Sequence, residues 1–269
     1  MKNILKEIQK HFIIYCLFIR NNVMSQMEYR TNFFTGIAME IGFLFVKILY
    51  PVVIYQSRAK ISGFTPDEFL IFVGTYVIIT GFYAGLFMRN FIFFKFLIRE
   101  GIMDMMITRP VSLQFFSTLK QSNIGIFLMD VIAGIVMVVI GISRVGISIS
   151  FFKILGYVIF IGTGSIITYS IFLIPAIFNF WFINAGIVET VNSFWDFNIV
   201  PMIIYDKFIQ RIGIFILPIF VITNFPTLFI LNKLSPIYFA WGLLVSIIFL
   251  ILSRIFWNIA VKNYTSASS

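Results

Sequence analysis

The sequence predicts an all-α polytopic membrane protein with six transmembrane helices, an N-terminal amphipathic interfacial helix and a re-entrant element before the last span. Of its 269 residues, 60% are hydrophobic and only 12% are charged, and the mean hydropathy is +0.99. A soluble domain needs about 25% charged residues to cover its surface. Because one membrane-spanning helix takes about 20 apolar residues, this chain has room for roughly six spans.

Apolar runs divide the chain into an interfacial segment, residues 1–30, and one transmembrane domain, residues 31–269. In the first segment, Leu5, Ile8 and Phe12 share one helical face while lysines occupy another. Such a helix suits the headgroup layer of a membrane. Five clear spans are predicted at about residues 33–55, 69–89, 118–142, 152–178 and 237–260.

The stretch between residues 180 and 232 is apolar, but polar side chains and Pro201, Pro218 and Pro226 interrupt it. Irregular backbone inside a membrane is tolerated only where it is buried in protein or lines a cavity. We therefore predict a fifth span broken into pieces, together with a re-entrant element.

The basic residues predict the orientation, because cytoplasmic loops are enriched in Lys and Arg. With the N-terminus inside, twelve basic residues are cytoplasmic: Lys2, Lys6, Lys10, Arg20, Arg30, Arg89, Lys95, Arg99, Arg109, Lys120, Arg254 and Lys262. Five are then outside: Arg58, Lys60, Arg144, Lys153 and Lys233. We predict a multi-pass protein of a bacterial inner membrane with both termini in the cytoplasm. The side that holds residues 201–212 stays open.

The chain lacks the residues that several classes of function require. It has one cysteine, Cys16, and one histidine, His11, so a disulfide framework, a histidine-rich metal site and a Ser-His-Asp set are not expected. The net charge of +9 is spread between apolar runs and not gathered in one stripe, which argues against nucleic-acid binding. No phosphate-binding loop Gly-x-x-x-x-Gly-Lys-Ser/Thr is present, so we expect nucleotide to bind another chain. We therefore predict that the chain is not an enzyme and binds no cofactor.

Ionisable residues fall within the predicted spans, where a charged group costs roughly 2.5–3.5 kcal/mol. Such groups face a partner or a water-filled path. The residues that could line a translocation path are Glu40, Asp130, Glu189 and Asp196, the last two being two helical turns apart. Two alternatives stay open. Asp130 could pair with a nearby hydroxyl or lysine and hold helices together, or the acids could form a proton relay.

A short helix that ends at Pro110 is predicted in the connection after the second span. Ile98, Ile102, Met105 and Met106 share one face of this helix. An apolar ridge on a cytoplasmic connection needs another protein, or lipid, to cover it. Three blocks then resemble one family: MEYRTNFF at 27–34, REGIMDMMITRPVS at 99–112 and YTSASS at 264–269. The middle block has a basic-x-Gly-x-x-Asp turn followed by Arg-Pro-x-Ser. These blocks are similar to those of ABC-2 family transporter permeases, apart from Ser268, where Gly is usual.

The resemblance implies a six-span fold with a cytoplasmic coupling helix between spans two and three and a re-entrant element on the outer side. It implies a permease that uses a separate ABC ATPase, which binds ATP and Mg, and a second permease, identical or related, in a lipid membrane. Contact with the ATPase would fall on Arg99, Glu100, Ile102, Asp104, Met105, Met106 and Arg109. Export of an amphiphilic or hydrophobic substrate is expected. The alternatives are an ion-coupled secondary transporter and an integral-membrane transferase.

Overall fold

The computed structural model describes residues 2–28, 30–57, 63–182 and 187–264. The structure is 85% helical, and the described residues form no strands, which confirms the all-α class. They form twelve α-helices, joined by short 3₁₀ and π turns: α1 Lys2–Glu28, α2 Arg30–Ser57, α3 Pro66–Phe82, α4 Met88–Arg99, α5 Ile102–Ile107, α6 Leu113–Leu119, α7 Ile124–Val145, α8 Phe151–Ile177, α9 Ile187–Asn192, α10 Lys207–Arg211, α11 Ile219–Ile230 and α12 Pro236–Lys262.

Among the described residues, five helical stretches are long and apolar enough to cross a membrane: Phe34–Val53, Pro66–Arg99, Ile124–Val145, Phe151–Phe180 and Pro236–Lys262. A further pair, Lys207–Ile216 and Ile219–Ile230, passes the same test only together and is bent by 97°. Such a bent pair is a broken span or a re-entrant loop, and it precedes the last span. The predicted fold class is therefore confirmed.

Local caps determine where two of the spans begin. Thr65 accepts a hydrogen bond from the backbone N–H of Glu68, whose carboxylate accepts one from the backbone N–H of Thr65. This capping box, followed by Pro66, starts α3. The third predicted span began near residue 118, but α7 begins at Ile124 because the side chain of Asn123 caps it. Residues 113–119 form the separate helix α6.

Glycines let α3 and α7 pack with their backbones in contact. A Cβ placed on Gly134 would lie 2.6 Å from the carbonyl oxygen of Gly74, and a Cβ on Gly74 would lie 2.8 Å from that of Gly134. Gly81 fits against the Cβ of Asp130 in the same way. Because lipid competes equally for apolar side chains, helices in membranes associate through close packing of this kind.

Gly134→Ala is expected to destabilise the protein, because its methyl group has no space against α3. Overpacking of a tight contact costs about 1–3 kcal/mol. The melting temperature of the detergent-solubilised variant should fall by several degrees. Gly162→Ala is the matched control, because a Cβ at Gly162 meets no atom within 4 Å. Equal melting temperatures for the two variants would show that α3 and α7 are not packed this closely.

The broken stretch is held in place by polar contacts from α11. Thr223 donates a hydrogen bond to the side-chain oxygen of Asn198 at 3.1 Å, and the backbone N–H of Met202 donates to the side-chain oxygen of Asn224 at 2.8 Å. The indole N–H of Trp241, in the second turn of α12, donates to the carbonyl oxygen of Ile214 at 3.0 Å. The contacts to Met202 and Ile214 satisfy backbone groups that a regular helix would otherwise pair.

Ion pairs bring several helix termini to one end of the bundle. Arg144, at the end of α7, lies 3.8 Å from Asp67 at the start of α3. Lys233, just before α12, lies 2.7 Å from Glu68 in the first turn of α3. The loop before α12, the start of α3 and the end of α7 are therefore on one side of the bundle. The basic-residue count predicts that this side is outside the cell.

Cysteine labelling tests this orientation. In a Cys16→Ser background, Ser148→Cys should react with a membrane-impermeant maleimide added to intact cells, and Thr108→Cys should react only after the membrane is permeabilised. Both side chains are exposed. Lys207 is also exposed, so labelling of Lys207→Cys shows which side of the membrane holds residues 201–212. Labelling of Thr108→Cys, but not of Ser148→Cys, in intact cells would invert the predicted orientation.

Candidate functional site

The connection between α4 and α7, residues 100–122, holds the predicted coupling helix and is called the coupling segment below. Helix α4 ends at Arg99, and Gly101 adopts a left-handed conformation with φ of 65° before α5 begins. A residue with a Cβ rarely adopts that conformation. The turn changes the chain direction, so Ile98 does not continue onto the face of α5.

The structure corrects the predicted apolar ridge. Ile98 and Met106 are buried, each with 4% of its surface exposed, and Met103 is fully buried. Met105 is 64% exposed and Ile107 is 47% exposed. Sequence spacing misassigned the ridge because it assumed one continuous helix from 98 to 106. The apolar side chains available to a partner are thus Met105 and Ile107, and Met106 belongs to the interior.

The remaining predicted contact residues surround this tip. Arg99 and Glu100 are exposed and form an ion pair with 3.2 Å between the Arg99 Nε and the Glu100 Oε1. Arg109 is exposed, and its guanidinium lies over the Phe116 ring at 5.9 Å from the ring centre. Ile102 and Asp104 are half-buried. The exposed surface of the segment is therefore a small apolar patch with a charged border.

Helix α1 lies along the coupling segment and holds it at several points. The ammonium of Lys10 donates to the carbonyl oxygen of Pro110 at 2.7 Å. The side-chain amides of Asn22 and Gln26 donate to the carbonyl oxygens of Lys120 and Ser122 at 2.7 and 2.9 Å. The rings of His11, Tyr15 and Phe18 contact Phe115. Besides charged side chains, α1 exposes a set of large apolar ones: Leu5, Ile8, Phe12, Ile13, Leu17, Met24 and Met27.

A chain of hydrogen bonds joins the coupling segment to two spans. The guanidinium of Arg254 in α12 donates to the side-chain oxygen of Gln114 at 2.5 Å. The amide nitrogen of Gln114 donates to the hydroxyl of Tyr169 in α8 at 3.1 Å, and Thr118 is within 3.1 Å of the same hydroxyl. Helix α6 is therefore hydrogen-bonded to both α8 and α12. Sequence reasoning missed this network, whose one visible signal was a basic residue inside the last span.

The C-terminal block also reaches the coupling segment. The ring of Tyr264 packs edge-on against Phe180, with 5.6 Å between the ring centres. Burial, together with the nearby carboxylate of Asp104, raises the pKa of the Tyr264 hydroxyl to about 12. Residues 265–269, the rest of the block, lie outside the described residues. The middle and terminal blocks, distant in sequence, therefore meet in space.

Three ionisable side chains from two spans form an intramembrane cluster. The ammonium of Lys47 in α2 lies 3.1 and 3.2 Å from the two carboxylate oxygens of Asp130 in α7. The same ammonium lies 3.6 Å from Glu40, two turns earlier on α2. Asp130 is 1% exposed and Glu40 is 8% exposed. Two predicted path residues, Glu40 and Asp130, are thus brought together around one lysine.

The other two predicted path residues are elsewhere. Helix α9 ends at Asn192, and Asp196 lies in a 3₁₀ turn, Ser193–Asn198, with its side chain exposed. The side chain of Glu189 lies outside the described residues. The ring of Trp195 lies 6.2 Å from that of Tyr76, which lines a cavity of 190 Å³ with Lys47. Asp196 is thus the neighbour in sequence of a residue that packs against this cavity wall, and it is not one of the side chains that pair with Lys47.

No group of three or more His, Cys, Asp or Glu side chains within the described ranges is arranged to hold a metal ion. Hydrogen bonds, ion pairs and packed rings are the interactions at both candidate sites. The exposed tip of the coupling segment offers a surface for a partner, its hydrogen bonds connect it to α8 and α12, and the charged groups of the cluster can pair with a charged ligand.

A family model described as "ABC-2 family transporter protein" matches residues 41–268. This range includes five of the predicted spans in full, the coupling segment and the intramembrane cluster except Glu40. No curated protein and no solved structure matches the chain.

Proposed function

The chain belongs to the ABC-2 transporter family as a multi-pass membrane component, and from that premise we propose that it exports an amphiphilic or hydrophobic substrate with ATP hydrolysed by a separate ATPase subunit. The observation that carries this proposal is the tip of the coupling segment. Met105 and Ile107 are exposed there, with Arg99, Glu100 and Arg109 around them. An apolar centre inside a charged border is the usual anatomy of a protein–protein interface.

The contacts behind the tip support a mechanical role. Met103 and Met106 anchor α5 in the core, α1 supports the segment from one side, and Gln114 ties it to Tyr169 and Arg254. If the tip has two positions, each linked to one arrangement of the spans, a partner can bind one position more tightly than the other. That difference in affinity sets how far the partner shifts the spans toward the corresponding arrangement. ATP and Mg would be bound by the ATPase, and this chain would supply the docking surface and the moving helices.

The proposed transporter contains two permease chains, identical or related, each with one ATPase. Helix α2 supports a second permease, because only 12% of its apolar stretch is buried in this chain. Its exposed large side chains are Phe34, Met39, Ile41, Phe43, Phe45, Val46, Ile48, Leu49, Val52 and Val53. The aromatic, apolar interior favours a substrate with a hydrophobic part.

Co-purification tests the proposal. Affinity-tagged permease, expressed in its native cell and solubilised in mild detergent, should retain an ABC ATPase that mass spectrometry identifies by its phosphate-binding loop. Quantification of the two chains should give a ratio near one to one. Purification of the permease without any ATPase, from membranes in which it is correctly inserted, would contradict the proposal.

One observation favours an ion-coupled secondary transporter as a second candidate: Glu40, Lys47 and Asp130 form a buried charged cluster of the kind used in proton relays. For that candidate, a protonophore should abolish transport while cellular ATP is kept constant. Transport that survives the protonophore leaves the ATP-driven proposal in place.

A further inference from the structure

A cavity of 340 Å³ lies between the end of α1, helices α2 and α4, and the beginning of α7. Its lining includes Gln26, Gly36, Glu40, Arg89, Asn123 and Met129. Cavities that bind small ligands begin at about 300 Å³. This one is large enough for a polar headgroup and too small for a whole lipid.

The cavity has opposite charges on its lining. Arg89 is exposed, with its guanidinium 5.8 Å from the centre of the Phe93 ring. No acidic side chain within the described ranges forms an ion pair with Arg89. Helix α7 begins beside it, and the positive end of a helix favours an anion. Glu40, by contrast, is buried in the wall.

The charge of Glu40 is only partly compensated. Glu40 and Asp130 share the ammonium of Lys47, which is closer to Asp130, at 3.1 Å, than to Glu40, at 3.6 Å. When both carboxylates are ionised, they outnumber the single ammonium, and the cluster carries a net negative charge. A buried charge without full pairing is costly, so a second cationic group beside Glu40 would be stabilised.

From these charges we propose that the cavity binds the zwitterionic headgroup of an amphiphile, with a phosphate at Arg89 and a primary ammonium at Glu40. A purely anionic headgroup would meet the carboxylate of Glu40, and a purely cationic one would meet Arg89. The acyl chain would lie outside the cavity, along the apolar surfaces of α1 and α2. This inference rests on the proposed function, because it gives the chemical class of the exported amphiphile.

Binding of fluorescent, acyl-labelled lysophospholipids to the full-length protein in detergent tests the proposal. Lysophosphatidylethanolamine should bind about tenfold tighter than lysophosphatidylglycerol, which has no amine, and than lysophosphatidylcholine, whose ammonium cannot donate hydrogen bonds. Soluble glycerophosphoethanolamine should not displace the probe at the same concentration. If glycerophosphoethanolamine displaces the probe, the cavity binds a free zwitterion and not an amphiphile, and the proposal is wrong.

A pair of glycine variants distinguishes binding in the cavity from binding elsewhere on the lipid-facing surface of the protein. A Cβ at Gly36 or at Gly42, both in α2, meets no atom within 4 Å, but only Gly36 lines the cavity. Gly36→Leu should weaken lysophosphatidylethanolamine binding about tenfold, whereas Gly42→Leu should leave it unchanged. Glu40→Gln should remove the preference over lysophosphatidylglycerol. Equal binding by the two leucine variants would overturn the proposal.

ATP hydrolysis by the complex with its ATPase distinguishes this inference from the proposed function. If the wild-type complex hydrolyses ATP in a permease-dependent way but shows no headgroup preference in binding, the headgroup assignment is wrong and the transporter assignment stands. If the permease binds the probe selectively and no ATPase associates with it, the proposed function is wrong and the cavity assignment stands.

Discussion

Met105→Asp combined with Ile107→Asp is expected to abolish ATPase binding and transport while the permease still folds and inserts. Both side chains are largely exposed, so their replacement costs the fold little. In the docked complex, each aspartate would place an unpaired charge in the apolar centre of the interface. Loss of such a central residue costs at least about 2 kcal/mol, or roughly thirtyfold in affinity. Pull-down of the ATPase and thermal melting of the permease measure the two effects separately.

Two controls make this result specific. Ile149→Asp changes an exposed aliphatic residue at the other end of the bundle and should not affect ATPase binding. Met106→Asp changes a buried residue next to the tip and should lower the melting temperature itself. If the Met105 and Ile107 double variant retains wild-type ATPase binding, the coupling segment is not the docking surface.

Lys47→Met is expected to be the most destabilising single change in the intramembrane cluster. It leaves the carboxylates of Glu40 and Asp130 facing each other without their shared cation. Removal of one partner of a buried ion pair costs about 3–5 kcal/mol, which corresponds to a fall in melting temperature on the order of 10 °C. Asp130→Asn should cost less, about 1 kcal/mol, because Glu40 remains to pair with Lys47.

The double variant Lys47→Met with Asp130→Asn should recover part of the stability lost by Lys47→Met alone, since it also removes one of the two stranded charges. Lys153→Met, in the first turn of α8, is the control for loss of a lysine, because the Lys153 ammonium donates to the backbone carbonyl of Ser148 at 3.0 Å and not to Glu40 or Asp130. Transport per folded molecule of Asp130→Asn then separates a structural tie from a path residue: normal turnover indicates a tie. Wild-type melting and turnover in all the cluster variants would show that the cluster has neither role.

The fold was largely predictable because membrane insertion imposes simple rules on the sequence. Apolar length predicted the unbroken spans, although α3 begins at Pro66, after the Thr65 capping box, and not at residue 69. The interruptions at Pro201, Pro218 and Pro226 predicted a broken stretch, which contains the 97° bend between α10 and α11. These features depend on residues that are close together in the chain, so they can be predicted from a single sequence.

The sites were less predictable because they depend on contacts between distant segments. Periodicity put Met106 on an exposed ridge, but the left-handed turn at Gly101 buried it. An acid in the third span suggested a partner, yet nothing in the sequence paired Asp130 with Lys47. The contact between Tyr264 and the coupling segment likewise joins residues far apart in the chain.

The central claim, that this permease converts ATP hydrolysis by a partner into transport, is tested most directly in proteoliposomes. The purified permease and its ATPase would be reconstituted together, and export of a labelled amphiphile into the vesicle lumen would be followed. We predict transport that needs both chains and ATP, stops with vanadate, persists with a protonophore and is absent in the Met105 and Ile107 double variant. Transport by the permease alone, driven by a proton gradient and unaffected by vanadate, would contradict the claim.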